Sequence, residues 1–289
     1  MQSTDFYVTV LGSGAAIPTL SRHCSSQLVN VHGFRILLDC GEGTQNQLRA
    51  YHQRLQSVSV VCITHLHGDH FFGLPGLLST MHMCGRDHEI VVIGPEGIRE
   101  AVETINRFSG QHFDFPISFV ELSSSLCATA PQQVYQCRRC TISAFALRHS
   151  VSTFGFLIEE VPHGSRPPRR YAYCTDTGFF DSLADVVHGV NLLCMESTFA
   201  NDYEQVAIEK QHCTAAQAAT LASMAGVRQL LLTHFSARYK DIAPLMEQAT
   251  AIFPNTLPAT DGHRYGVEHW TDKRASKDII PPATDDGMA

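Results

Sequence analysis

The 289-residue chain carries 44% hydrophobic and 17% charged residues and a net charge of −7. That balance is ordinary for a soluble globular protein and excludes a disordered chain. The excess of acid counts against attachment to nucleic acid by bulk charge alone. No apolar run reaches the roughly 18 residues of a membrane span, and Met1-Gln2-Ser3-Thr4-Asp5 lacks the basic-then-apolar order of a signal peptide. A cytoplasmic location without membrane contact is expected.

The first strand signal, Phe6 to Leu11, runs into Gly12-Ser13-Gly14-Ala15-Ala16-Ile17-Pro18. The third glycine of a dinucleotide loop is missing and Pro18 interrupts the position of its helix, so a tight turn is expected. Residues 26–31 and 34–40 read as two strands joined through His32-Gly33 in a hairpin. Residues 44–55 have helical character, with Leu48, Tyr51 and Leu55 on one face. Residues 58–63 form a short β-branched run that ends in Thr64-His65-Leu66-His67-Gly68-Asp69-His70. Continued strand geometry points His65 and His67 to one side, and Gly68 then permits a turn that sends Asp69 and His70 elsewhere. Two imidazoles for one ion, and a carboxylate with a third imidazole for a neighbour, is what a two-metal site requires.

A helix through Met83, a strand over 89–93 and a helix opened by Gly94-Pro95-Glu96 and running to about Phe108 follow. Residues 117–122 read as strand, and 123–136 as connections and short strands. The spacing of Cys137-Arg138-Arg139-Cys140 permits chelation, but with no second such pair it reads as a turn. The other cysteines are scattered, several of them in apolar runs where thiols pack as small hydrophobes.

Four short apolar strands in the second half each deliver a polar group at the C-terminal end: Arg148-His149-Ser150, Asp176-Thr177, Glu196-Ser197-Thr198 and His234-Phe235-Ser236. Open α/β sheets place their sites at such ends, so these residues and the first motif are expected on one rim. Helices over 214–225, stopped by Gly226, and 242–253 complete an α/β pattern of sheets covered by helices on their outer faces. Residues 1–270 are read as one domain and 271–289 as a polar, mobile tail.

The order His65-x-His67-x-Asp69-His70, His149, Asp176, His234 resembles the metallo-β-lactamase superfamily. The resemblance implies a four-layer αβ/βα sandwich with a dinuclear metal site at the sheet edge. Within that superfamily Leu11 to Pro18, Leu38-Asp39-Cys40-Gly41-Glu42-Gly43-Thr44-Gln45, Glu196-Ser197-Thr198-Phe199, His212-Cys213-Thr214-Ala215 and His234-Phe235-Ser236-Ala237-Arg238-Tyr239 are similar to the ribonuclease Z family. This implies a zinc-dependent endoribonuclease that removes the 3′ trailer from precursor tRNA and leaves a 3′-hydroxyl. It further implies two zinc ions per subunit: His65, His67 and His149 hold the first, Asp69, His70 and His234 the second, and Asp176 bridges both. Zinc is preferred because iron-binding relatives usually carry glutamate at the position of His67.

Asp69 also steers the proton of the attacking water in this reading. His212, oriented by Glu196, gives a proton to the leaving 3′ oxygen; the alternatives are that Glu196 caps the following segment and that His212 is a surface residue. Ser236 and Arg238 are candidate contacts to substrate phosphates, with a bracing salt bridge as the alternative for Arg238. The resemblance implies a homodimer as well. The family's extended tRNA-binding arm is expected to be short or absent here, because residues 150–175 leave little room for it. Arg166, Arg169 and Arg170 are either a residual phosphate-contacting patch or a solubilising turn. A short arm and negative charge keep a second reading open, a phosphodiesterase of the same fold acting on small or cyclic phosphodiesters; a third, a non-catalytic scaffold, is disfavoured because all seven expected ligands are present.

Overall fold

A computed structural model describes residues 6–162, 165–270 and 277–279. The first sheet contains β1 (Phe6–Gly12), β3 (Ser26–Val31), β4 (Phe34–Leu38), β5 (Val58–Cys62), β6 (Ile90–Pro95), β7 (Ile117–Leu122), β16 (His263–Gly266) and β17 (Lys277–Ile279), in the spatial order β17-β16-β1-β3-β4-β5-β6-β7. The second contains β8 (Gln132–Gln136), β9 (Cys140–Ala146), β10 (Phe154–Glu160), β11 (Arg170–Cys174), β12 (Leu192–Glu196), β13 (Leu230–Thr233) and β15 (Thr256–Pro258), ordered β15-β13-β12-β11-β10-β9-β8. A small ladder pairs β2 (Gly14–Ala15) with β14 (Phe235–Ser236).

Helices α1 (Thr44–Ala50), α2 (Gly68–Phe71), α3 (Gly73–Met83) and α4 (Ile98–Ser109) follow strands of the first sheet. Helices α5 (Leu183–Val186), α6 (Glu204–Lys210), α7 (Ala215–Met224) and α8 (Ala243–Ile252) follow strands of the second. Strand alternation decides the layering. In β12, Leu192 and Cys194 face the core between the sheets, while Leu193 and Met195 face α7 and α8. In β5, Val60 and Cys62 point between the sheets, and Val61, with Ile63 just beyond the strand, toward α1, α3 and α4. Both faces of these strands are buried, which is why they read as continuous apolar runs. The result is two mixed sheets packed as a sandwich between helices, the αβ/βα architecture that the resemblance implies.

Several local expectations hold for physical reasons. His32 (φ 50°) and Gly33 (φ 89°) both adopt the left-handed conformation that a two-residue hairpin turn demands. Residues 137–140 turn β8 into β9, with the Cys137 N–H donating to the Cys140 carbonyl and the thiols 3.8 Å apart. Thr214 caps α7 and exchanges hydrogen bonds with Gln217 in a capping box.

Other expectations are corrected. The helix anticipated from Pro95 begins at Ile98, because β6 continues through Pro95 and Gly97 (φ 95°) makes the turn. The helix of 44–55 ends at Ala50 and a short 3₁₀ turn, Leu55–Ser57, resumes after it. Lys277–Ile279 pairs antiparallel with β16, so this piece of the expected tail extends the sheet edge. The remainder of 271–289, like residues 1–5 and 163–164, lies outside the described residues.

Candidate metal centre

Strands β4 and β5 are parallel, and β9, β11, β12 and β13 run in a common direction because β10 lies antiparallel between β9 and β11. Their C-terminal ends meet at one rim, which brings together all seven residues expected to bind metal. Helix α2 starts immediately after His67, and its single turn places Asp69 and His70 beside His234, with the His70 ring still 4.2 Å from that of His65. Gly41 permits this: a Cβ there would lie 2.2 Å from the Asp69 carbonyl oxygen. Cys40 reinforces the contact, its N–H donating to the His70 carbonyl at 2.8 Å.

The donor atoms form two groups. His65 Nε2 and His67 Nδ1 lie 3.0 Å apart, and Asp176 Oδ2 faces His65 Nε2 and His149 Nε2 at 3.7 Å each. On the other side His70 Nε2 and His234 Nε2 are 3.3 Å apart, and Asp176 Oδ1 faces them at 3.2 and 3.1 Å. Asp69 Oδ2 is 3.4 Å from His70 Nε2 and 3.5 Å from His234 Nε2, and it accepts the Ala16 N–H at 2.7 Å. The two carboxylate oxygens of Asp176 thus address different trios.

The outward nitrogens of four imidazoles are tied down. His70 Nδ1 meets Asp39 Oδ2 at 2.7 Å, His65 Nδ1 the Thr64 hydroxyl at 3.0 Å, His149 Nδ1 the Gln211 carbonyl at 3.3 Å and His234 Nδ1 the Thr198 hydroxyl at 3.0 Å. Such partners fix ring orientation and leave Nε2 to the site. Asp39, Asp176 and His234 all take positive φ, 56°, 52° and 58°, at the corners where strands end.

Electrostatics fit a cation. Burial pushes His65 well below the usual imidazole range and so keeps it neutral. Burial also opposes charge on His70, yet the Asp176, Asp39 and Asp69 carboxylates raise it well above that range. Three carboxylates around one imidazole are a negative field inside a buried cluster, and imidazole nitrogens with carboxylate oxygens are ligands that divalent cations take. The donor set therefore fits a divalent metal.

Beyond the donors, Glu196 Oε1 meets His212 Nδ1 at 2.9 Å, while Oε2 accepts from the Thr198 hydroxyl at 2.7 Å and the Cys213 N–H at 3.0 Å. Glu196 is therefore fully engaged, not a cap exposed at a helix end. Burial works against a charged His212, but the Glu196 carboxylate outweighs it and lifts the imidazole to about 9. His212, Lys210, Ser236 and Arg238 line one cavity of about 270 Å³ with Asp69, His149, Asp176 and His234. Arg238 stacks its guanidinium over the rings of Tyr203 and Phe199, at 4.2 and 5.2 Å from their centroids.

The three arginines considered together do not share a role. Arg169 is buried and pairs bidentately with Glu160 at 2.8 Å, whereas Arg166 and Arg170 line a separate cavity of about 660 Å³ with Trp270, Arg170 also donating to the His188 carbonyl. That larger cavity lies where β11 begins, at the opposite end from Asp176. Asp39, Thr64 and Thr198 were assigned no role from sequence; the available signal was that Asp39 also ends an apolar strand.

Residues 34–235 match the β-lactamase superfamily domain family. Ribonuclease Z of Bacteroides fragilis is 35% identical, the match covering 89% of this chain and 97% of that protein. Ribonuclease Z of Parabacteroides distasonis is 34% identical over 91% of this chain and 99% of its own length. The chain belongs to the ribonuclease Z family of the β-lactamase superfamily. The crystal structure of the short form of human tRNase Z superposes with a TM-score of 0.78 at 30% identity, covering 91% of this chain and 99% of that one. A long-form RNase Z from yeast shares the fold at 19% identity, with a TM-score of 0.70 over 92% of this chain and 42% of its own. The alignment with the B. fragilis protein runs over 299 positions, more than this chain contains, so that relative carries insertions lacking here.

Proposed function

We propose that this chain is a zinc-dependent endoribonuclease that removes the 3′ trailer from precursor tRNA and leaves a 3′-hydroxyl, acting in the cytoplasm as a homodimer with two zinc ions per subunit. One observation carries the reading: seven donors converge in two groups around the two oxygens of Asp176, in a member of the ribonuclease Z family. His65, His67 and His149 would hold one ion, Asp69, His70 and His234 the other, and Asp176 both. Bound there, the metals supply an activated water and neutralise charge at the scissile phosphate.

The chain's own groups do the rest. Asp69, fixed by the Ala16 N–H, steers the proton of the attacking water. His212 gives its proton to the leaving 3′ oxygen. Its bond to Glu196 orients the ring, and the adjacent negative charge favours the protonated form that an acid requires. Ser236 and Arg238 hold backbone phosphates; Arg238, over Tyr203 at the cavity's edge, carries the guanidinium fork that suits a bidentate phosphate contact.

β10 ends at Glu160 and β11 begins at Arg170, the interval where the family's arm is expected, and the buried Arg169–Glu160 pair ties the two strands together there. The domain spans 1–270, and Lys277–Ile279 of the segment that follows pairs with its edge strand.

The test is metal content together with cleavage of a precursor tRNA bearing a 3′ trailer, comparing the full chain with Asp176→Ala. About two zincs per chain and cleavage next to the discriminator base are expected, with metal lost from the variant. Two zincs with turnover of a chromogenic phosphodiester but no tRNA cleavage would replace this reading with the small-phosphodiester one. Sedimentation at working concentration tests the dimer.

A further inference from the structure

Cys137-Arg138-Arg139-Cys140 holds the one pair of cysteines in the chain separated by two residues, and the metal centre makes no use of it. It turns β8 into β9 at the margin of the second sheet, where β8 is the outermost strand. Gln136 pairs with Thr141, and the Cys137 N–H donates to the Cys140 carbonyl at 2.9 Å, so the two cysteines stand opposite each other. Facing residues that share a ladder hydrogen bond have Cα atoms about 5.5 Å apart, inside the span that a disulfide bridges. Both thiols are free, and their sulfurs are 3.8 Å apart. The Val161 N–H donates to the Arg139 carbonyl at 2.8 Å and anchors the turn to the end of β10, so closure has little backbone freedom left to remove.

The two thiols differ in role. Cys137 is half-buried, its sulfur accepts the Arg139 N–H at 3.4 Å, and the exposed Arg138 and Arg139 beside it offer two positive charges to an approaching anion. Cys140 is fully buried, and burial together with the neighbouring Cys137 sulfur pushes its thiol up. Access therefore makes Cys137 the entering group and Cys140 the one that follows. A structural zinc site needs four donors, and among the described residues no third histidine, cysteine or carboxylate joins this pair. The chemistry left to two facing thiols is exchange with a disulfide.

We infer that Cys137 and Cys140 are a redox modification site, closed to a protein disulfide by exchange with a small anionic disulfide. The Cys137 thiolate attacks one sulfur of that disulfide, whose S–S bond breaks, and one small thiolate leaves. Cys140 then gives its proton to the departing thiolate, its sulfur bonds to Cys137 Sγ, and the second small thiol leaves. The protein loses two electrons and two protons, and the small disulfide becomes two thiols. In a reducing compartment the pair rests as the dithiol. Closed, it fastens the outermost strand β8 to β9, at the end of β9 away from His149.

The test incubates the full chain with an excess of glutathione disulfide, quenches in acid and maps the peptides by mass. The parent is expected to lose two hydrogens from residues 137–140 and to regain them with dithiothreitol, a readout that needs no variant. Cys140→Ser is expected to stop with one glutathione on Cys137, and Cys137→Ser to leave Cys140 reduced, with thermal unfolding checking that each is folded. Arg138→Gln combined with Arg139→Gln is expected to slow the reaction roughly tenfold at low ionic strength, and to slow oxidation by the neutral hydroxyethyl disulfide less. A parent that stays reduced, or that carries glutathione on Cys137 without closing, overturns the inference. Equal slowing with both disulfides overturns the preference for an anion.

Discussion

Asp39→Asn tests how the buried scaffold controls the metal donors. Asp39 is fully buried, and its two oxygens receive four donors. Oδ1 accepts from the Thr64 N–H at 2.8 Å and the Thr64 hydroxyl at 2.9 Å; Oδ2 accepts from the Tyr173 hydroxyl at 3.0 Å and His70 Nδ1 at 2.7 Å. An amide has one oxygen and one NH₂. With its nitrogen toward Thr64, it confronts a backbone N–H that cannot turn away. With its nitrogen toward His70, it forces Nδ1 to accept and moves the ring proton to Nε2, the atom 3.2 Å from Asp176 Oδ1. A protonated Nε2 cannot bind a cation. Loss of such an orienting partner weakens metal affinity by roughly 10–100-fold, about 1.4–2.7 kcal/mol. The assay is competition for zinc against a chromogenic chelator, with thermal unfolding measured on the same sample. Affinity within twofold of the parent would refute the argument that Asp39 sets the His70 tautomer.

Two further outcomes follow from the geometry. His212→Ala should lower kcat by about 10²- to 10⁴-fold, the range for a lost general acid, while metal content by atomic emission stays at the parent level; loss of metal would reassign His212 as a ligand. The buried Glu160 carboxylate is disfavoured by burial, but the Arg169 guanidinium and backbone N–H together with His32 hold it down, from 4.5 to about 2. Its contribution is therefore complete above pH 4.5 and lost as pH falls through about 2. That shift corresponds to about 3 kcal/mol, so Glu160→Gln should reduce stability at pH 7 by that order and flatten the acid limb of urea denaturation measured against pH.

The strand ends were the most legible part of this chain. Apolar runs such as 192–195 and 230–232 are short, continuous and followed closely by a polar residue of the site, because each is buried on both faces and finishes at the rim. The separation of His65 and His67 from Asp69 and His70 is legible in the turn that Gly68 permits, whereas the sides taken by His149 and His234, far away in sequence, come only from the family resemblance. Pro95 misled because a proline suits a first helical turn as well as a strand end, and only pairing with β7 decides between them. Arg169 misled because a basic residue beside prolines looks solvated until Glu160, nine positions earlier, is brought opposite it by the hairpin. Asp39 was visible within a motif but had no assigned role, since its partners, Tyr173 and His70, come from other layers of the sandwich.

The left-handed corners at Asp39, Asp176 and His234 restrict which sequences can drift into this fold. Each such backbone costs a side chain about 1 kcal/mol or more, least for aspartate, asparagine and histidine and nothing for glycine. A library selected only for folding should accept glycine and asparagine at these three positions and deplete valine, isoleucine and threonine, even where catalysis is not demanded. Residue preference there records the shape of the chain before it records any chemistry, and the two filters overlap on aspartate and histidine.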